Sequence, residues 1–102
     1  MLLTRTKLPD DAPAMDVARE AAEFLRGHGA TRVLLFGSLA RGNYDPKSSD
    51  IDIYFEGIPR PDVDSVAGRG MCHFPKHDID FWAEVRCPAR FLARILETGI
   101  PI

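Results

Sequence analysis

Leu35-Phe36-Gly37-Ser38-Leu39-Ala40-Arg41-Gly42 and, a short loop later, Ser49-Asp50-Ile51-Asp52-Ile53 decide the fold of this chain. Arg32-Val33-Leu34-Leu35-Phe36 is a short apolar run containing a β-branched residue, and it reads as a strand buried on both faces. Gly37-Ser38 ends it abruptly, and Leu39-Ala40-Arg41 continues as a turn or two of helix. Residues 42–49 hold Gly, Asn, Asp-Pro, Lys and two Ser, the composition of a loop. From Asp50 to Glu56 polarity alternates with period two. Ile51, Ile53 and Phe55 fall on one face of the predicted strand, and Asp50, Asp52 and Tyr54 on the other.

Upstream, Val17, Ala21 and Phe24, widened by Ala18, Ala22 and Leu25, recur at helical spacing between Ala14 and His28. Pro13 precedes this helix and Gly27 and Gly29 lie near its end. Residues 4–13, with two prolines and Asp10-Asp11, read as a lead-in. Downstream, residues 57–70 carry three glycines and two prolines and are expected to be irregular, with a short helix within 62–68 left open. His77 to Ala83 alternates again, placing Asp78, Asp80 and Trp82 together. Pro88 opens a last helix whose apolar stripe is Phe91, Leu92, Ile95 and Leu96; Gly99 closes it, and Ile100-Pro101-Ile102 reads as an edge segment. Phe24 and Phe91 are expected in the core. The order α, β, short α, β, loop, β, α gives an α/β (α+β) class: a small mixed sheet flanked by helices. No repeat or long linker divides the chain, so residues 1–102 are expected to form one domain, with 1–13 as its lead-in.

Composition narrows the function classes. The chain has 102 residues, 45% apolar and 27% charged, which is globular and too short for a second core. Thirteen basic against fifteen acidic side chains leave a net charge of −2, so non-specific grip on a nucleic-acid backbone is not expected. A nucleotide substrate remains compatible, because metal ions can supply positive charge. Cys72 and Cys87 are too few for a disulfide framework. No apolar run is long enough to span a membrane, and Met1–Arg5 lack the apolar core of a secretion signal, so the cytoplasm is the expected location.

Three features carry chemistry. Gly37-Ser38 stands at a strand-to-helix junction, where glycine permits close backbone approach and free amides favour phosphate; taken alone, such a pair is equally a turn and a helix cap. Asp50 and Asp52 project to one side of a strand, where like charges repel. A divalent cation relieves that repulsion, and Mg²⁺ prefers hard oxygens completed by substrate phosphates; otherwise the pair is a solvated face. Asp78 and Asp80 form a second pair. Asp80, between Ile79 and Phe81, is the better anchored, with Asp78 as its substitute. Together the three features suit phosphoryl or nucleotidyl transfer carried out by positioning and electrostatics.

The two quoted segments resemble the signature of the DNA polymerase β-like nucleotidyltransferase superfamily, and the short chain resembles its minimal (MNT) branch. That resemblance implies the polymerase β-like nucleotidyltransferase fold. It implies that Gly37 and Ser38 contact the nucleotide's phosphates and that Asp50 and Asp52 ligate two Mg²⁺. It gives Asp80, or failing it Asp78, the third-carboxylate role, binding the catalytic metal and accepting the acceptor hydroxyl's proton. Arg41 matches the family's Ala-Arg-Gly and reads either as a phosphate contact or as a salt bridge to a strand-end carboxylate. The branch further implies transfer of AMP from ATP to a hydroxyl of a small helical HEPN-type partner, in a toxin–antitoxin pair. Larger relatives carry a helical domain that grips base and acceptor; with none here, the acceptor surface is expected from a partner or a second copy of the chain. The rival reading is a non-catalytic, antitoxin-like module that neutralises a helical partner by occlusion.

Other residues read as ordinary. Phe74-Pro75 interrupts Cys72, His73 and His77, so zinc is not expected. Trp82 reads as packing beside the site, and Arg86, Arg90 and Arg94 as a basic, solvated helix side, the segment most open to a partner.

Overall fold

The computed structural model describes residues 5–102; Met1–Thr4, part of the expected lead-in, lie outside the described residues. Helix α1 spans Ala14–Gly27 and buries Val17, Ala18, Ala21, Ala22 and Leu25, the stripe its periodicity predicts. Strand β1 is Arg32–Phe36, followed at once by the one-turn helix α2, Gly37–Arg41. Strand β2 is Ile51–Glu56, helix α3 Arg60–His73, strand β3 Ile79–Ala83, helix α4 Ala89–Thr98 and strand β4 Ile100–Pro101. A 3-10 turn at Glu84–Arg86 joins β3 to the Pro88 cap of α4.

The four strands form one sheet in the order β3-β2-β1-β4. β1 is antiparallel to both neighbours, whereas β2 and β3 run parallel, so the sheet is mixed as expected. A parallel pair needs a crossover, and α3 supplies it. The sheet's two faces are covered unequally. α1, α3 and the strand residues Val33, Leu35, Ile51, Ile53, Phe55 and Ile79 close one continuous core. On the opposite face a small cluster of Leu34, Tyr54 and Ile95 joins the sheet to α4, with Phe36, Trp82 and Leu92 at its margin.

Three expectations need correction. Residues 57–70 are not irregular: most belong to the fourteen-residue α3. Its prolines flank or occupy the first turn, where no intrahelical N–H is required, and its buried face is only Val63, Val66 and Gly70. The third strand starts at Ile79, not His77, so Asp78 precedes it. Phe91 is not a core residue; it is 51% exposed, because Ile95 is the α4 side chain that turns fully onto the sheet. The described part of the lead-in is tied down: the Thr6 amide donates to the His73 carbonyl oxygen at 2.8 Å, and its hydroxyl donates to Glu20 Oε1 at 2.6 Å.

Candidate active site

The site follows from strand register. Residues opposite one another in a sheet point to the same side, several ångströms apart. Phe36 pairs with Asp52, and Asp52 with Asp80, so one row crosses β1, β2 and β3. The next row is Leu34, Tyr54 and Trp82. Cluster membership places this second row under α4, with Phe36 of the first row at the cluster's margin, and leaves Asp52 half-buried and Asp80 exposed. Asp50 and Asp78 stand just before their strands, where the Ile51 amide donates to the Asp78 carbonyl oxygen at 2.8 Å.

Gly37 sits at the end of β1 with φ +76°, a left-handed conformation that suits glycine. A Cβ there would collide with Oδ2 of Asp52 and lie 3.1 Å from its Cγ. The bend therefore closes directly onto the carboxylate. Gly42, also left-handed, ends α2, its amide donating to the Leu39 carbonyl oxygen at 3.3 Å while Asn43 donates to that of Ser38 at 3.0 Å. This short wrap holds Ser38 over the strand ends.

Electrostatics mark the same place. Burial, then the charge of Asp80 and that of Asp50, push the Asp52 carboxyl up to about 6; Trp82 and Arg41 pull the other way. The Trp82 indole Nε1 is buried and meets no hydrogen-bond geometry, although it lies close enough to Asp52 to favour its ionised form. Asp80 is also raised, first by burial, then by the charge of Asp50, a hydrogen bond with Asp50 and the charge of Asp78. The three carboxylates thus interact without an ion pair to any of them among the described residues.

A hard divalent cation fits this donor set: mutually repelling carboxylate oxygens with a low supply of positive charge. Among the described residues, no group of three or more His, Cys, Asp or Glu is placed so that it could by itself hold a metal ion. A Mg²⁺ ion here would need substrate phosphates and water to complete its octahedron.

Gly37, Ser38, Arg41, Asp50 and Asp52 line one cavity of about 330 Å³, whose other wall is Phe91, Arg94, Ile95 and Thr98 of α4. Asp50 also lines a second cavity of about 350 Å³ with Asp78, Asp80, Met71 and His77. Asp50 therefore stands between the two. Arg41 is exposed and makes no ion pair among the described residues, although its charge reaches Asp52. Arg94 and Phe91 are the lining residues that sequence reasoning placed elsewhere, one on a solvated helix side and the other in the core. Of the residues set aside as zinc ligands, His73 stacks on Phe24 at 5.2 Å and faces Glu20 at 3.6 Å and Cys72 is exposed, whereas His77 lines the cavity shared by Asp50, Asp78 and Asp80.

The family profile of the nucleotidyltransferase domain matches residues 15–64, from α1 through β2 into α3. Among solved structures, a provisionally assigned minimal nucleotidyltransferase aligns over 92% of this chain and 100% of its own, with a TM-score of 0.70 at 22% identity. A provisionally assigned nucleotidyltransferase from Sulfolobus solfataricus aligns over 86% of this chain and 78% of its own, with a TM-score of 0.56 at 23% identity. At such identities the likeness is one of fold. No curated protein matches the chain.

The chain thus carries a nucleotidyltransferase domain over residues 15–64, and that domain implies a nucleoside triphosphate substrate. Its fold is that of a minimal nucleotidyltransferase, the branch its motifs resemble. Among the described residues no helix is long and apolar enough to cross a membrane.

Proposed function

We propose that this chain acts as one domain, a Mg²⁺-dependent nucleotidyltransferase of the cytoplasm that moves AMP from ATP to a hydroxyl of a small helical HEPN-type protein partner, as half of a toxin–antitoxin pair. The observation that supports the reading most is the Asp52–Asp80 register, with the charge of Asp50 acting on both carboxylates and Gly37 closed against Asp52.

In this reading Asp50, Asp52 and Asp80 would hold two Mg²⁺, with Asp78 as the substitute for Asp80. Cations held there would offset the triphosphate's charge and lower the pKa of the acceptor hydroxyl. The backbone at Gly37 and the Ser38 hydroxyl receive the β- and γ-phosphates, and Arg41 adds charge from the end of α2. The acceptor oxygen forms a bond to the α-phosphorus, the bond from that phosphorus to the pyrophosphate breaks, and pyrophosphate leaves with the electron pair. Asp80 takes the acceptor's proton; its raised affinity for protons suits that role. The acceptor surface comes from the partner or from a second copy of the chain.

The test is incubation with Mg²⁺, each labelled nucleoside triphosphate and the product of the adjacent gene, read by mass spectrometry. An added AMP on the partner, lost on removing Mg²⁺, is the expected result. Neutralisation of the partner without any mass change, and unchanged by Asp52→Asn, would replace transfer by occlusion.

A further inference from the structure

Helix α4 carries features that packing does not use. Phe91 is 51% exposed, yet its ring is fixed on one side by Trp82, with centroids 6.0 Å apart and planes tilted by 42°. Arg90 and Arg94 flank it, and among the described residues neither guanidinium pairs with a carboxylate. Arg86, on the preceding turn, does so at 2.8 Å from Asp64, so partners for arginine are not generally lacking in this region. Phe91 and Arg94 line the cavity that holds Gly37, Ser38 and Asp52, and with Arg90 they also line an adjoining cavity of about 380 Å³. One continuous surface thus runs from the Gly37 bend to an open aromatic ring.

We propose that α4 holds the incoming nucleotide: Arg94 meets the phosphates across the cavity from Gly37-Ser38, and Phe91 stacks on the base. The assignment rests on the function proposed above, since it needs a triphosphate at the bend. Charge favours it. A wall of aspartates repels a polyanion, and a guanidinium on the facing wall offsets what the cations leave. Shape favours it too, because a flat π-face set beside a polyanion site matches a nucleoside triphosphate. Stacking accepts every base, so this platform binds nucleotide without choosing among A, G, C and U.

Calorimetric titration of the full chain with Mg²⁺ and either ATP or inorganic tripolyphosphate tests it. Phe91→Ala is expected to weaken ATP about tenfold, the scale of one base–aromatic stack, while leaving tripolyphosphate within about twofold. Phe91→Tyr, which keeps the ring, restores ATP binding. Arg94→Ala weakens both ligands by about tenfold, as loss of a charge-assisted contact does. Wild-type affinity for Mg²⁺-ATP in both Phe91→Ala and Arg94→Ala overturns the assignment and leaves the transfer site standing. Equal weakening of ATP and tripolyphosphate by Phe91→Ala overturns the stacking role. A wild-type chain that binds neither ligand brings down the proposed function and this inference together.

Discussion

The same strands build two faces of opposite character. On β2, Ile51, Ile53 and Phe55 lie under α1 and α3 and are at most 2% exposed. One residue out of phase, Asp52 stays partly open while Tyr54 is sealed beneath α4. The difference lies in the covering helices. Two fourteen-residue helices serve one face; the ten-residue α4 serves the other and reaches only its far end. Where coverage stops, polar side chains on a strand cost little, and repelling carboxylates can be kept for chemistry. The sharpest way to break this contrast is Phe55→Ala. It should cost roughly 3–5 kcal/mol, as truncating a buried Phe does, read by urea unfolding with the slope unchanged. A cost below about 1 kcal/mol, the level of a substitution that leaves no cavity, would mean that face is not the core.

One strand position away, the sign of the stability effect should reverse. Asp52→Asn removes a charge that burial, Asp80 and Asp50 all oppose. Without ligand the variant should melt above the wild type at neutral pH, while transfer falls about a hundredfold or more, the scale of losing one preorganised electrostatic group. Mg²⁺ with ATP should raise the melting temperature of the wild type and not of the variant. A variant that is both less stable and fully active would mean that Asp52 is a structural residue.

Gly37 joins the two faces, and a comparison of glycines isolates what it does. Both Gly37 and Gly42 are left-handed, but only at Gly37 would a Cβ strike another residue, Asp52. Gly42→Ala should cost only the backbone term, about 1–2 kcal/mol. Gly37→Ala should cost more and should also weaken Mg²⁺-ATP. In an Asp52→Ala background the excess should shrink, a coupling between touching residues that thermal melts of the four proteins can resolve. Equal costs at the two glycines would show that the bend does not press on the carboxylate.

Much of this was legible in the sequence. Period-two alternation and the Gly-Ser and Asp-Pro punctuation are local signals, and they located β1, α2, β2 and the loop between them. α3 was hidden because Val63, Val66 and Gly70 are its only buried residues, so the usual apolar stripe is thin and Gly68, Gly70 and Pro61 dilute it further. The choice between Asp78 and Asp80 was legible only as a lean to Asp80 from its flanking Ile79 and Phe81, because alternation assigns both to one face. What separates them geometrically is where pairing with β2 begins, a long-range fact. Phe91 occupies a stripe position, but the stripe cannot say how far α4 reaches over the sheet. The open end of that sheet was therefore invisible, and with it the second wall of the cavity.

The smallest expected effect concerns pH, and its sign is opposite to that of a salt-bridged carboxylate. The folded chain retains a proton on Asp52 up to about pH 6, whereas the unfolded chain releases it near 3.8. Between those values the native state binds more protons, so this group makes stability fall as pH rises through the window and adds no further change above it. Partial solvent exposure tempers the size. The wild type minus Asp52→Asn difference in melting temperature should therefore grow more negative from about pH 4 to about pH 6 and then level off, whatever the other carboxylates contribute to both proteins. Cation binding needs the ionised form, so Mg²⁺ affinity should run the other way, rising by up to about tenfold per pH unit across the same interval. If the difference stays flat while Mg²⁺ still binds, the metal is held by Asp50 and Asp80 without Asp52, and the row across the three strands is not the unit that the open face was kept for.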